Sequence, residues 1–307
     1  MTPTHHDPRG WTLYQADFAA TCAKVAEEGG ADLIAFSPPY CDARTYGMGC
    51  DWGMEEYHRL GDAVFSALKP GGHALVNVDA PVREWRPGFG TERGLHPWRL
   101  MLDWAERVGF RVPDRLAFGR QGLPGEYRGR FRNDWEPLFW FQRPGADGYF
   151  DRWALAEPSA HGAWAGHIWK RPVDRWPRKR PGSEDPGSRR GSGRAAEQGM
   201  THRGTLWRAD NGSQKTAALD IEDQAHPARW PYRLARDIVV CFCPPGGLVV
   251  DPFVGAGTTA AAAIAEGRRF VGGDLGARQG DGVPWVTVAH GVLTERSRQV
   301  GLFGVGR

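Results

Sequence analysis

Leu248-Val249-Val250-Asp251-Pro252-Phe253-Val254-Gly255-Ala256-Gly257-Thr258-Thr259 decides how this chain folds. Leu248, Val249 and Val250 read as a short buried strand that ends at the acid and the proline. Gly255 and Gly257 then open a loop, and Thr258 starts an Ala-rich helix running to Glu266. Absent side chains let a ligand approach the loop backbone, and the helix N-terminus offers free N–H groups. The loop lacks the Gly-Lys-Ser/Thr ending of a nucleotide P-loop, and its spacing is not Gly-x-Gly-x-x-Gly. The next strand, Arg269 to Gly273, ends at Asp274, where an acid can accept hydrogen bonds from ribose hydroxyls. Loop, helix and acid together describe a site for a nucleoside-carrying cofactor.

The other half of the chain repeats the alternation. Trp11 to Asp17 reads as a strand ending in an acid, and Phe18 to Glu28 as a helix stopped by Gly29-Gly30. Ala31 to Phe36 is an apolar strand that runs into Ser37-Pro38-Pro39-Tyr40. Two prolines end any regular element, because neither has an N–H and each fixes its own φ. Ser37 and Tyr40 therefore sit on a stiff turn at a strand's C-terminal edge, where ligands bind in open α/β sheets. Met54 to Leu68 has helical spacing, Lys69-Pro70-Gly71-Gly72 reads as its stop, and His73 to Val78 is a second core strand. Pro97 to Val108 predicts a helix, with Gly109 just past its end. Arg111 to Phe118 and Pro137 to Phe141 read as strands, Tyr232 to Phe242 as a helix, and Trp285 to Ala289 as a last strand. This alternation predicts an α/β fold with a doubly wound, mostly parallel sheet.

Residues 143–204 break the pattern. Gly, Pro, Ser and Arg dominate, and hydrophobic periodicity disappears. The net charge of +3 conceals a concentration: Trp169 to Arg208 holds eleven Lys/Arg against four acids. Trp164, Trp169, Trp176 and Trp207 accompany this basic run, a combination suited to a phosphate backbone with stackable bases. Residues 178–200 read as a segment without fixed structure in the free protein.

With 307 residues, 41% of them hydrophobic, the chain can bury a sizeable core. Its apolar runs are too short for a membrane span, and its N-terminus lacks a signal-peptide pattern, so a soluble, cytoplasmic protein is expected. Cys22, Cys41, Cys50, Cys241 and Cys243 form neither a disulfide framework nor a metal-ligand pattern, and Cys241 and Cys243 read as buried thiols.

Asp251 to Thr259, followed by Gly267-Arg268-Arg269-Phe270-Val271-Gly272-Gly273-Asp274, resembles the S-adenosylmethionine motif of DNA amino-methyltransferases. Ser37-Pro38-Pro39-Tyr40 resembles their catalytic motif in the form associated with N4-cytosine enzymes. Further matches are Leu68 to Gly72, Arg44 to Gly47, Trp135-Glu136-Pro137 and His226-Pro227-Ala228; the likeness covers residues 11–142 and 205–275. With the catalytic motif first and the cofactor motif last, the order resembles the circularly permuted beta group.

The resemblance implies a Rossmann-like class I methyltransferase: a catalytic half in residues 1–142, a target-recognition insertion in 143–204 and a cofactor half in 205–307. It implies that Asp251, Pro252, Phe253, Gly255, Gly257, Thr258 and Thr259 surround S-adenosyl-L-methionine, that Asp274 binds its ribose and that Asp17 approaches its adenine. Ser37 and the Pro38 carbonyl would hold the substrate amine, with Pro39 stiffening the turn and Tyr40 stacking on a flipped-out base. The implied partner is double-stranded DNA, with room for a cognate restriction endonuclease. Adenine N6 methylation, an RNA or protein-amide substrate, and a non-catalytic DNA-binding role are the rival readings. No Pro-Cys dipeptide occurs, which argues against carbon-5 cytosine methylation.

Overall fold

The computed structural model describes residues 1–8, 10–39, 52–80, 82–86, 90–119, 131, 133–158, 200–208, 231–278 and 281–303. Tyr40, the Arg44 to Gly47 and His226 to Ala228 matches, Cys41, Cys50, Trp164, Trp169, Trp176 and most of the basic run lie outside these residues, as does nearly all of 178–200. The chain forms two compact units, Met1–Asp151 with Thr205–Arg307, and Arg152–Gly204.

In the first unit the elements follow the order β1 (His5–Asp7), β2 (Trp11–Tyr14), α1 (Phe18–Glu27), β3 (Ala31–Phe36), α2 (Met54–Ala67), β4 (Leu68–Asn77), a hairpin of β5 (Val82–Arg86) and β6 (Gly90–Arg93), and α3 (His96–Asp103). Next come β7 (Arg115–Gly119) and β8 (Trp135–Gln142). After the second unit, whose short strands are β9 (Glu157–Pro158) and β10 (Met200–Thr201), follow β11 (Leu206–Arg208), α4 (Tyr232–Phe242), β12 (Leu248–Asp251), α5 (Thr258–Ala265), β13 (Arg269–Gly273) and α6 (Trp285–Phe303).

Among the described residues, nine strands of the first unit join one sheet in the order β1-β2-β13-β12-β3-β4-β8-β7-β11. From β2 to β4 the neighbours run parallel; β8 is antiparallel to both β4 and β7. The central strands are apolar on both faces because both faces are covered. Ile34, Phe36, Ala74 and Val76 point into one core with Val25, Leu60 and Trp104, while Leu33, Ala35 and Leu75 face the other side. Helices α1, α2 and α3 share one layer, and α4, α5 and α6 share the other.

The winding direction reverses between β12 and β3. From β3 the chain passes through α2 to β4 on one side of the pair, and from β12 through α5 to β13 on the other. The connections that leave these two strands part company, and a crevice opens at their C-terminal ends.

Three expectations change. Trp285 to Ala289 is the start of α6 rather than a strand. Its β-branched residues favour a strand locally, but Val286, Ala289, Val292 and Leu293 recur at helical spacing and are all buried. Lys69 to Gly72, read as a stop, lies inside β4, which pairs with β3 across a register shift between Ala31 and Leu33. The strand expected from Arg111 begins at Arg115, with Arg111 forming an isolated bridge to Gln142.

The last turn of the helix expected to Val108 is a π-helix, Trp104–Val108, closed by Gly109 at φ 94°. Trp104 is fully buried and donates its indole N–H to the Tyr57 carbonyl at 3.0 Å. The indole lies against Gly61 on α2, where a Cβ would fall 2.5 Å from its nitrogen.

At the opposite edge of the sheet Asp32 joins the two halves. Its Oδ2 accepts from the Leu248 N–H at 2.8 Å, and both its oxygens meet Lys69 Nζ at 2.8 and 2.9 Å. Lys69 is 38% exposed, so the ion pair contributes little. The Leu248 N–H is the costlier loss, about 1–3 kcal/mol once its acceptor is gone. Asp32→Ala should lose about that much stability in denaturant titration, and Asp32→Asn, which keeps an acceptor, should recover most of it.

Candidate active site

The C-terminal edge of the parallel strands collects most of the residues singled out from sequence. β12 pairs with β3 through Val249 with Leu33 and Val250 with Ile34, which carries Asp251 and Phe36 to neighbouring ends. The rings of Phe36 and Phe253 stand 5.4 Å apart, linking the strand that delivers Ser37 to the glycine loop. On the other flank β13 pairs with β12 and with β2, so Asp274 and Asp17 emerge at the same edge.

The glycine loop is held by its two acids. Asp251 Oδ1 accepts from the Phe253 N–H at 2.9 Å, and the Thr259 hydroxyl also bonds this carboxylate. Asp274 Oδ2 accepts from Gly255 N–H at 2.9 Å and Oδ1 from Gly276 N–H at 2.7 Å. Gly255 and Gly257 have φ of 47° and 84°, conformations that L side chains rarely adopt. A Cβ on Gly257 would also stand 3.2 Å from Ala289 of α6. Pro252 is buried, and Thr258 and Thr259 form the buried first turn of α5, where N–H groups lack intrahelical partners.

Burial pushes the Asp251 carboxyl up to about 7; the nearby Asp274 adds to this, and the bonds from Phe253 and Thr259 oppose it. Burial also raises Asp274, against the two glycine N–H groups. Two carboxyls held in this way favour a cationic ligand, whose charge offsets the cost of ionising them. Each Asp274 oxygen has a lone pair beyond its glycine bond, so the ribose hydroxyls it was expected to meet remain compatible with this geometry.

Asp17 has a structural duty as well. It is the N-cap of α1, with Oδ1 accepting from Ala20 N–H at 2.7 Å. Ser37 and Pro39 are half-buried and Pro38 is buried. Tyr40 lies outside the described residues, so its stacking role stays an expectation.

Sequence reasoning gave no site role to five side chains here. Phe18 and Trp52 join Phe253 in an aromatic cluster, with centroids at 5.9 Å for Phe18–Phe253 and 5.4 Å for Trp52–Phe253. Asp79, beyond the end of β4, is clamped by Arg93 Nη1 at 2.8 and 2.7 Å and by Asn133 at 3.2 Å. An acid just past a strand's C-terminal end is the signal that drew attention to Asp17 and Asp274, and it was available for Asp79. His96 and Tyr57 complete the group beside the Ser-Pro-Pro turn. Among the described residues no His/Cys/Asp/Glu cluster could hold a metal, and no helix is long and apolar enough to cross a membrane.

A family model described as DNA methylase, covering N6 and N4 methyltransferases, matches residues 31–279. The chain belongs to this family. Its members depend on S-adenosylmethionine, and the residues at the crevice fit that group: a glycine loop, a helix N-terminus, two carboxyls that favour a cation and half-buried aromatic rings. The orphan methyltransferase M.BamHII of Bacillus amyloliquefaciens is 27% identical over 252 residues, covering 80% of this chain and 83% of the relative. Two solved structures share the fold. PvuII DNA methyltransferase, described as cytosine-N4-specific, superposes with a TM-score of 0.56 at 16% identity over 95% of this chain and 92% of its own. The M1.HpyAVI–SAM complex gives 0.54, also at 16%, over 92% and 98%.

The raised Asp251 makes stability depend on pH. In the unfolded chain an aspartate ionises near pH ~4. Between there and about 7 the folded protein binds the extra proton, so stability falls as pH rises through that window. In the absence of cofactor, the melting temperature of the wild type should drop relative to Asp251→Asn between pH 5 and 8. A difference that is constant across this range would contradict the assignment.

Proposed function

We propose that this DNA methylase transfers a methyl group from S-adenosyl-L-methionine to the exocyclic N4 amine of a cytosine in double-stranded DNA. The observation that carries this reading is the reversal of winding between β12 and β3, at whose C-terminal ends the Phe253–Phe36 contact brings the glycine loop and the Ser37-Pro38-Pro39 turn together. When bound there, the cofactor supplies a methyl group activated by its sulfonium.

The protein's share is position and electrostatics. An exocyclic amine is a poor nucleophile because its lone pair is delocalised into the ring. Ser37 Oγ and the Pro38 carbonyl serve as a fixed acceptor pair for its two hydrogens, favouring a tetrahedral nitrogen with its lone pair aimed out of the ring plane. Pro38 suits this because it brings an acceptor without a competing N–H. Asp251, Phe253 and the 255–259 loop hold the methionine and sugar, Asp274 takes the ribose hydroxyls and Asp17 lies towards the adenine. The target base leaves the duplex to reach the site, with Tyr40 stacking on it. The Trp- and Arg-rich insertion, residues 143–204, is the reader of the surrounding sequence. Ser37 at the head of the motif favours cytosine. Adenine N6 is the alternative acceptor, since the family includes both amines and both offer two N–H donors.

The test is transfer of tritium from labelled S-adenosyl-L-methionine to duplex DNA, followed by digestion to nucleosides. N4-methylcytosine supports the reading, N6-methyladenine replaces it with the alternative, and no incorporation on any duplex contradicts both. Ser37→Ala should lower turnover on the order of 100-fold while leaving cofactor affinity intact. Asp274→Ala should do the reverse, weakening cofactor binding about tenfold or more by calorimetry.

A further inference from the structure

A Ser-Pro-Pro turn solves one problem for an amine and creates another. It removes two N–H groups, so no donor at 38 or 39 competes for the base. It also leaves consecutive carbonyls at Pro38 and Pro39, and an amine that can choose between them has two registers one peptide apart. Only one of these can aim the lone pair at the methyl group.

The structure deals with the second carbonyl from inside the core. The Tyr57 hydroxyl donates to the Pro39 carbonyl at 3.0 Å. Tyr57 comes from α2, 18 residues along the chain, and is fully buried. Its ring is fixed on several sides. The Trp104 indole donates to its backbone carbonyl at 3.0 Å. The His96 ring lies parallel to it, at 6.0 Å and 7°, and Trp52 meets it at 5.6 Å. His96 is itself anchored through Nε2, which donates to the Asp79 carbonyl at 3.2 Å. That bond requires the hydrogen on Nε2, because a carbonyl can only accept. Asp79 is in turn held by Arg93. Elements α2, α3 and the end of β4 thus converge on one phenol, and it spends its hydrogen on the Pro–Pro turn.

We infer that Tyr57 is a positioning residue for methyl transfer: by engaging the Pro39 carbonyl it fixes the plane of the turn, and with it the direction of the neighbouring Pro38 carbonyl that receives the substrate amine. This rests on the proposed role of Ser37 and Pro38. Tyr57 touches neither substrate nor cofactor in this role. Its effect is on geometry, and small errors of placement at a reacting centre can cost about 100-fold in rate.

The variant that isolates the hydroxyl is Tyr57→Phe, which keeps the ring between His96 and Trp52. The measurement is a single-turnover methylation with enzyme saturated by S-adenosyl-L-methionine and duplex DNA, read as rate constant and amplitude separately. A role in folding alone would lower the amplitude, the fraction of competent enzyme, and leave the rate constant untouched. The expected result is a rate constant about 10- to 100-fold lower, with the amplitude and the cofactor dissociation constant within twofold of wild type. An unchanged rate constant, with or without lost amplitude, overturns the inference. A wild type that labels no duplex contradicts the parent reading instead, and the wild-type control in the same assay separates the two failures.

Discussion

The molecule depends on the parallel pairing of β12 with β3, strands more than 200 residues apart in the chain. One strand brings the glycine loop and the other the Ser-Pro-Pro turn. Because the connections that follow them diverge to opposite sides of the sheet, their ends are left uncovered together. A crevice at that point is a consequence of winding direction and needs no special residue to open it. Asp32 reinforces the pair at the far edge by accepting from Leu248, while Phe36 and Phe253 close it at the working edge. Placing the glycine loop after the Ser-Pro-Pro turn in the chain changes nothing in this geometry, since pairing in a sheet is indifferent to chain order.

The site is built from groups that local stability would not choose. Asp251 and Asp274 are carboxyls with little water around them, and Gly255 and Gly257 occupy conformations that restrict what can replace them. Backbone N–H bonds offset part of the cost, but burial still holds both acids above their ordinary range. A cation beside them lowers that cost. The same features that strain the free protein therefore favour a sulfonium-bearing cofactor, and stability and binding pull in opposite directions with pH.

Much of the fold was legible because strands and helices here carry their own punctuation. Gly29-Gly30, Gly109 and Pro38-Pro39 end elements where local chemistry requires it, and Asp251, Asp274 and Ser37 stand just past apolar strands. What escaped was decided by tertiary contact. Trp285 to Ala289 has strand-like residues, yet its buried face is set by packing of Ala289 over Gly257, and that contact was invisible in the chain order. The continuation of β4 through Pro70-Gly71-Gly72 depends on a register shift against β3. Trp52, Tyr57, His96 and Asp79 come from separate elements, and no spacing rule links them before the sheet is assembled. From sequence, Tyr57 is only one residue of the helix read over Met54 to Leu68. Its ring does fill that position, and the hydroxyl at its end reaches the Pro39 carbonyl.

The central claim is that the β12–β3 crevice holds the cofactor against the Ser-Pro-Pro turn. A crystal structure of the protein with S-adenosylhomocysteine tests it most directly. The account predicts the ribose hydroxyls on Asp274, the adenine on the Asp17 side and the sulfur beside Phe253, directed at Ser37 and Pro38. A ligand bound elsewhere, or with its sulfur turned away from Ser37, would contradict it.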